Sequence, residues 1–247
     1  SHALLEDDAS EWEDRKALIA ERREQLQGAL SPTRNPEVYE QLGNPSTETL
    51  RESIHEFLLD LPIAHLASAD LTTLTRQLIV YMRVLEDGHA AILSHAIATT
   101  NICELVIATR DTPGTLAKIA GVLSTRGINI LSASIVTTSS GMVLDVFRIA
   151  SPEGTDIPLA PSRIERTEHS LARVLDGDED VEEMLSKRIA QSRLAPRPGP
   201  EVDIRLRAYQ DASDHFTVLE IQAPDRLGLL YEITTTLNAH DVSTHFS

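Results

Sequence analysis

The sequence predicts an α+β protein: a helical region over residues 1–100, then two copies of a small β-α-β-β-α-β unit, the second incomplete. Three observations carry this. Apolar residues recur at helical spacing as far as Leu85, with capping residues ahead of the runs. Near Thr100 the pattern changes to short β-rich runs separated by turn residues. The segment Cys103 to Ala133 recurs at an offset of 114 as the segment Thr217 to Ser247.

The helical region divides at its breakers. Ser10 suits an N-cap, with Glu11, Glu13 and Asp14 in the first turn, where the helix dipole favours negative charge. Trp12, Ile19, Leu26 and Leu30 then share a face, and Ser31-Pro32 ends the helix. Residues from Pro32 to Pro45 read as a loop. Ser46 caps a second helix with a stripe of Leu50, Ile54, Phe57 and Leu58, broken at Leu61-Pro62. Asp70 caps a third, with Leu71, Leu74, Leu78, Tyr81, Met82 and Leu85 on one side and Gly88 just past its end.

The first β-rich run, Ile102 to Ala108, leads into the turn Arg110-Asp111-Thr112-Pro113-Gly114. Leu116, Ile119, Ala120 and Leu123 then form a helical stripe stopped by Gly127. Ile128 to Leu131 and Ser134 to Thr137 read as one strand, Ser139-Ser140-Gly141 as a hairpin turn, and Met142 to Ile149 as the returning strand. In that strand Val143, Asp145 and Arg148 mark a possible second face. Pro161 to Leu175 reads as the second helix, and Val202 to Tyr209 is a candidate for the closing strand. The acidic run Asp176 to Glu183 reads as a solvated surface, and Ser192 to Pro200 as a Pro-rich linker. Domains are therefore expected at 1–100, 101–200 and 201–247.

Seven of the 31 aligned positions in the repeat are identical, where about two are expected by chance at roughly 6%. Leu105/Leu219 and Ile107/Ile221 share a strand face; Leu116/Leu230, Ile119/Ile233 and Leu123/Leu237 share a helix face. Asp111/Asp225 and Gly114/Gly228 bracket the strand-to-helix turn. The second copy has a strand from Phe216 to Ala223, a turn to Gly228, a helix from Leu229 to Ala239 and the start of a strand at Val242. Half a sheet leaves open edges, so further chain after Ser247, or a partner, is expected to complete it.

Composition narrows the function. With 22 Lys+Arg against 38 Asp+Glu and a net charge of −16, the chain would repel a nucleic-acid backbone. One cysteine, Cys103, forbids an internal disulfide and favours a cytoplasmic location. No apolar run of membrane-spanning length occurs. Neither a nucleophile triad nor a spaced set of metal ligands is present; His240-Asp241 falls in a helix-to-strand turn.

Asp111-Thr-Pro-Gly-Thr-Leu116 and Asp225-Arg-Leu-Gly-Leu-Leu230 each follow a strand and open a helix. Both resemble the D-R-P-G-L-L turn of ACT domains, ferredoxin-like modules that bind amino acids. Gly127-Ile-Asn-Ile130 is similar to the segment that begins their second strand. Two such units after helices and a Leu-Pro-x-x-x-Leu segment (Leu61 to Leu66) resemble the C-terminal region of the bifunctional uridylyltransferase/uridylyl-removing enzyme family. Ala212 to Val218, leading into Asp225 to Tyr231, looks like the entry to that family's last ACT unit. The resemblance implies a glutamine-sensing segment of an enzyme that acts on the PII nitrogen-signalling protein. It implies Mg for that enzyme's catalytic part and no cofactor in this chain. Thr112 and Thr115 in the first copy and Leu227 in the second depart from the family pattern. A stand-alone module for another amino acid, or an assembly module that pairs chains, are the competing readings.

The expected ligand site follows from charge. A helix N-terminus offers N–H groups and a positive dipole end to a carboxylate. Gly114 and Gly228 let the chain turn and let a ligand approach the backbone, while Asp111 and Asp225 either take an ammonium or cap the helix. Thr112, Thr115, Arg226 and Leu229 line the two turns, and Asn129 is placed to reach a ligand amide.

Overall fold

The computed structural model describes residues 2–97, 102–150, 159–191, 204–209, 218–224 and 228–240. Five helices come first: α1 (His2–Ala29), α2 (Pro36–Gln41), α3 (Thr47–Asp60), α4 (Ile63–Ser68) and α5 (Leu71–Asp87). Ser46 Oγ accepts from Thr49 N–H at 3.1 Å and Asp70 Oδ1 from Thr73 N–H at 2.7 Å, so both caps form as the sequence predicts. Helix α1 begins eight residues before Ser10, which sits inside it rather than capping it. Its stripe is shorter than expected, since Ile19, Leu26 and Leu30 are buried but Trp12 is exposed beneath the Lys16 ammonium. The expected loop between Pro32 and Pro45 contains α2, which uses Pro36 as its first residue.

The sheet that follows has the order β1-β2-β4-β3, antiparallel throughout: β1 (Ala91–Ala96), β2 (Ile102–Arg110), β3 (Asn129–Ser134) and β4 (Met142–Ala150). Helix α6 (Thr115–Thr125) joins β2 to β3, and α7 (Pro161–Leu175) and α8 (Val181–Gln191) follow β4. The strand that completes this sheet is β1, from the end of the helical region, and not Val202 to Tyr209. That later segment supplies β5 (Arg205–Tyr209), which pairs with β6 (Val218–Gln222) in a second sheet. Helix α9 (Leu229–Ala239) follows.

The duplication is therefore one strand longer than the sequence identities show. The pair Ala91↔Ala108 becomes Arg205↔Gln222 when 114 is added to each number, and both pairings occur. Helix α6 maps onto α9 end for end under the same offset. The strand expected from Val242, the linker from Ser192 to Pro200 and the entry from Ala212 to Phe216 lie outside the described residues.

Both faces of the first sheet are covered. Side chains alternate along a strand, so Val106, Ala108, Met142 and Leu144 pack against α1, α3 and α5. Leu105, Ile107, Phe147 and Ile149 face the other way, with Ile119, Leu123, Leu171 and Leu185 of α6, α7 and α8. Two-sided burial explains why β2 reads as an almost unbroken apolar run. On the α5 side, Glu104 receives Arg76 at 3.0 Å and Arg148 at 3.3 Å. In the second sheet Leu206, Leu219 and Ile221 are exposed, although their counterparts Ile92, Leu105 and Ile107 are buried.

Candidate functional site

The first corner is the link from β2 to α6. Asp111, Thr112 and Pro113 are exposed, Gly114 is half-buried and Thr115 is buried. Gly114 occupies the N-cap position with φ 79° and ψ 11°, a left-handed conformation that glycine adopts without steric cost. Two threonines close the turn. The Thr112 N–H donates to Thr115 Oγ1 at 2.9 Å, and the Thr115 hydroxyl lies 2.7 Å from the Thr112 carbonyl and 2.9 Å from Thr112 Oγ1. The departures Thr112 and Thr115 thus do the work of fixing this turn. The Asp111 carboxylate makes no hydrogen bond to the described residues, which leaves it open to solvent or ligand; its backbone N–H donates to the Gly141 carbonyl at 2.8 Å.

That last bond ties the corner to the helical region. Gly141 ends the hairpin turn before β4, and the neighbouring Ser140 gives its N–H to Asp60 Oδ1 at 2.7 Å and its hydroxyl to Asp60 Oδ2 at 2.6 Å. The Ser139 N–H donates to the Asp60 carbonyl at 2.9 Å. Asp60 is the last residue of α3 and also accepts from the Tyr81 hydroxyl at 3.4 Å. Burial, with the Asp60 charge adding to it, pushes the Tyr81 phenol up to about 12.

Asp145 lies opposite Ile107 on β4 and is fully buried on the α6 side of the sheet. It shares that face with Phe147 and Ile149, whereas Arg148 is on the other face and exposed; the grouping of Val143, Asp145 and Arg148 on one face therefore fails by period two. Asp145 Oδ1 accepts from the Val136 N–H at 3.3 Å, while Oδ2 has no partner among the described residues. Burial pushes its carboxyl well above the ordinary carboxylate range. The Val136 bond pulls the other way, and the Asp111 carboxylate, within electrostatic range, adds to the rise.

The second corner has the same backbone. Gly228 is the N-cap of α9, with φ 80° and ψ 6°. Its setting differs. Gly228 is buried, and a Cβ there would meet both Leu185 methyls, at 3.6 and 3.7 Å. Leu229 is half-buried as the first residue of α9. Asp225 and Arg226 lie outside the described residues.

Helices α6 and α9 pack against each other and run antiparallel. Asn238, near the end of α9, faces Gly114 at the start of α6, and Tyr231 faces Gly121. The remaining expected residue does not join the first corner. Asn129 begins β3 and pairs with Ala150, which pairs with Ile102 at the far end of β2. Eight residues of strand separate that end from Arg110, roughly 26 Å at 3.3 Å per residue. Asp145, Asn238 and Leu185 were missed from sequence. Only Asp145 left a signal, as a lone acid in an apolar strand.

Residues 104–169 match the ACT domain family, and with this strand order and corner the first unit is an ACT domain. Over a longer stretch, the chain is similar to enzymes described as bifunctional uridylyltransferase/uridylyl-removing enzyme. It is 33% identical to that of Rhodospirillum rubrum over 240 residues, which is 95% of this chain and 23% of the relative. It is 31% identical to that of Gluconobacter oxydans over 146 residues and 35% identical to that of Bradyrhizobium diazoefficiens over 148, each 15% of the relative's length. The chain thus spans less than a quarter of the curated relatives it matches. No solved structure matches it. Among the described residues there is no group of three metal-ligating side chains, and no helix is long and apolar enough to cross a membrane.

Proposed function

We propose that this chain is the regulatory, amino-acid-sensing segment of a PII-protein uridylyltransferase/uridylyl-removing enzyme, with glutamine as its ligand. In this reading it acts in the cytoplasm and serves nitrogen regulation. The observation that carries it is the pair of left-handed glycines opening α6 and α9, in a chain similar over 95% of its length to one such enzyme. At the first corner, the α6 N-terminus offers its dipole to the ligand carboxylate, and Asp111 offers an unpaired carboxylate to the ammonium. Thr112, Gly114 and Thr115 shape the turn. Asp225, Arg226, Gly228 and Leu229 belong to the equivalent turn, and Asn129 belongs to the other end of the sheet.

A ligand moves a conformational equilibrium only by binding its two states unequally. The bonds from Asp111 to Gly141 and from Ser140 to Asp60 give the first corner a direct route to the helical region. Titration calorimetry of this chain with glutamine tests the reading: saturable heat and a raised Tm are expected. The absence of both heat and stabilisation at millimolar glutamine would overturn it. The packing of α6 on α9 inside one chain speaks against the reading as a module that only pairs chains, since this helix face is already used.

A further inference from the structure

A cleft of about 410 Å³ lies on the α5 side of the first sheet, walled by α2, α5 and the edge strand β1. Arg76 stands in its wall with a side chain only 14% exposed. The guanidinium carries five N–H donors and, among the described residues, makes one hydrogen bond, from Nη1 to Glu104 Oε2. Glu104 also receives Arg148, so two cations share one anion and the group is left with one surplus positive charge. Of the residues lining the cleft only Glu37 carries a carboxylate, and it is exposed, where salt screens it. His95 pairs across the strands with Glu104 and stands on the same face. Partial burial and the Arg76 charge hold its ring below the usual histidine range, against the pull of Glu104, so at neutral pH it is uncharged. Val38, Ile79 and Leu93 give the cleft an apolar stretch.

We propose that this cleft binds a small aliphatic monocarboxylate, with the carboxylate on the Arg76 guanidinium and the tail against Val38, Ile79 and Leu93. A guanidinium presents its N–H groups as a planar fork that matches a carboxylate. Spare donors on a charge largely withdrawn from water are costly unless an acceptor takes the place of that water. A ligand carboxylate supplies the acceptor and cancels the surplus charge. Inorganic phosphate brings a second negative charge and has no tail for the apolar stretch. The volume lies within the range of small-molecule sites. The site is separate from the Gly114 corner, since six residues of β2 lie between Glu104 and Arg110, roughly 20 Å at 3.3 Å per residue. Helices α2 and α5 belong to the helical region and β1 to the sheet of the ACT unit, so a ligand held between them stabilises the packing of one on the other.

The test is an NMR titration of this chain with hexanoate, and with hexanol and inorganic phosphate for comparison. Hexanoate should give saturable shifts at the Arg76 side-chain Nε–H and at the Leu93 and His95 amides, and raise the Tm. Hexanol, which keeps the tail and lacks the charge, and phosphate, which lacks the tail, should each bind at least tenfold more weakly, the loss of a charge-assisted bond or of the apolar contact. Arg76→Gln should weaken hexanoate by a similar factor. Thr72→Trp leaves the Arg76 pair with Glu104 in place and fills the cleft from an exposed position, which an unchanged Tm verifies, and it should abolish binding. If Arg76→Gln does not fold, Thr72→Trp decides alone. No saturable shift with hexanoate, equal binding of hexanol or phosphate, or undiminished binding in Thr72→Trp would overturn the inference.

Discussion

The corners at Gly114 and Gly228 differ in backbone angles by no more than 5° and in surroundings almost completely. One is half-buried, has a buried acid within electrostatic range of its Asp111, is tied through Gly141 and Ser140 to α3, and is faced by an amide. The other is buried against a leucine. The comparison teaches that duplication copies the local conformation, because a short motif encodes it. What a corner can receive depends on which elements the rest of the chain lays across it.

The largest effect is expected at the contact that holds the two units together. A Cβ at Gly121 would overlap the Val181 side chain and come 3.0 Å from Tyr231 Cδ2. Val181 is β-branched and has little rotamer freedom to move aside. Gly121→Ala should therefore cost about 1–3 kcal/mol of stability by overpacking, read as a fall in Tm. It should also push α9 away from α6, so hydrogen exchange should rise along both helices.

Next come the corners themselves. Gly114→Ala and Gly228→Ala each place a side chain at a positive φ, at about 1–2 kcal/mol apiece. The two penalties should agree, since the space at each is ordinary van der Waals distance from its neighbour. Equal losses by denaturant titration support equivalent backbones, and a clear inequality breaks the comparison. Asp60→Ala removes two bonds to Ser140 and should cost about 1 kcal/mol or slightly more. It loosens the first corner only, so hydrogen exchange should rise at Asp111 and not at Leu229.

A further effect belongs to Asp145 and depends on pH. Its folded value is raised above the ordinary 3.8, so its contribution to stability is full below that pH and is lost as pH rises through the folded value. Asp145→Asn removes the dependence. The Tm difference between variant and native chain should be small near pH 4 and move in the variant's favour toward pH 8. A difference that stays flat with pH would show that Asp145 is not held protonated.

Much of the local structure was readable in the sequence. Ser46 and Asp70 announced their helices because an N-cap is a local hydrogen bond between residues three apart. Helix α9 and both glycine corners followed from the repeat. The failures have a common cause. Strand β1 carried no identity to its copy β5, so the repeat appeared to begin one strand late. Asn129 is fifteen residues from Gly114 in the chain and still lies at the opposite end of the sheet. Neither Leu185 nor Asn238 stands near a motif, and each matters only through the packing of α8 and α9 around α6.

The sequence alone determined the α+β class, the duplication, and the left-handed bends that open two helices, since periodicity, composition and turn chemistry act over a few residues. Tertiary structure alone decided that the first sheet is covered on both faces, that an isolated aspartate is buried in it, and that, among the described residues, an amide stands over one bend and a leucine over the other. These depend on contacts between residues far apart in the chain, whose energies no local pattern records.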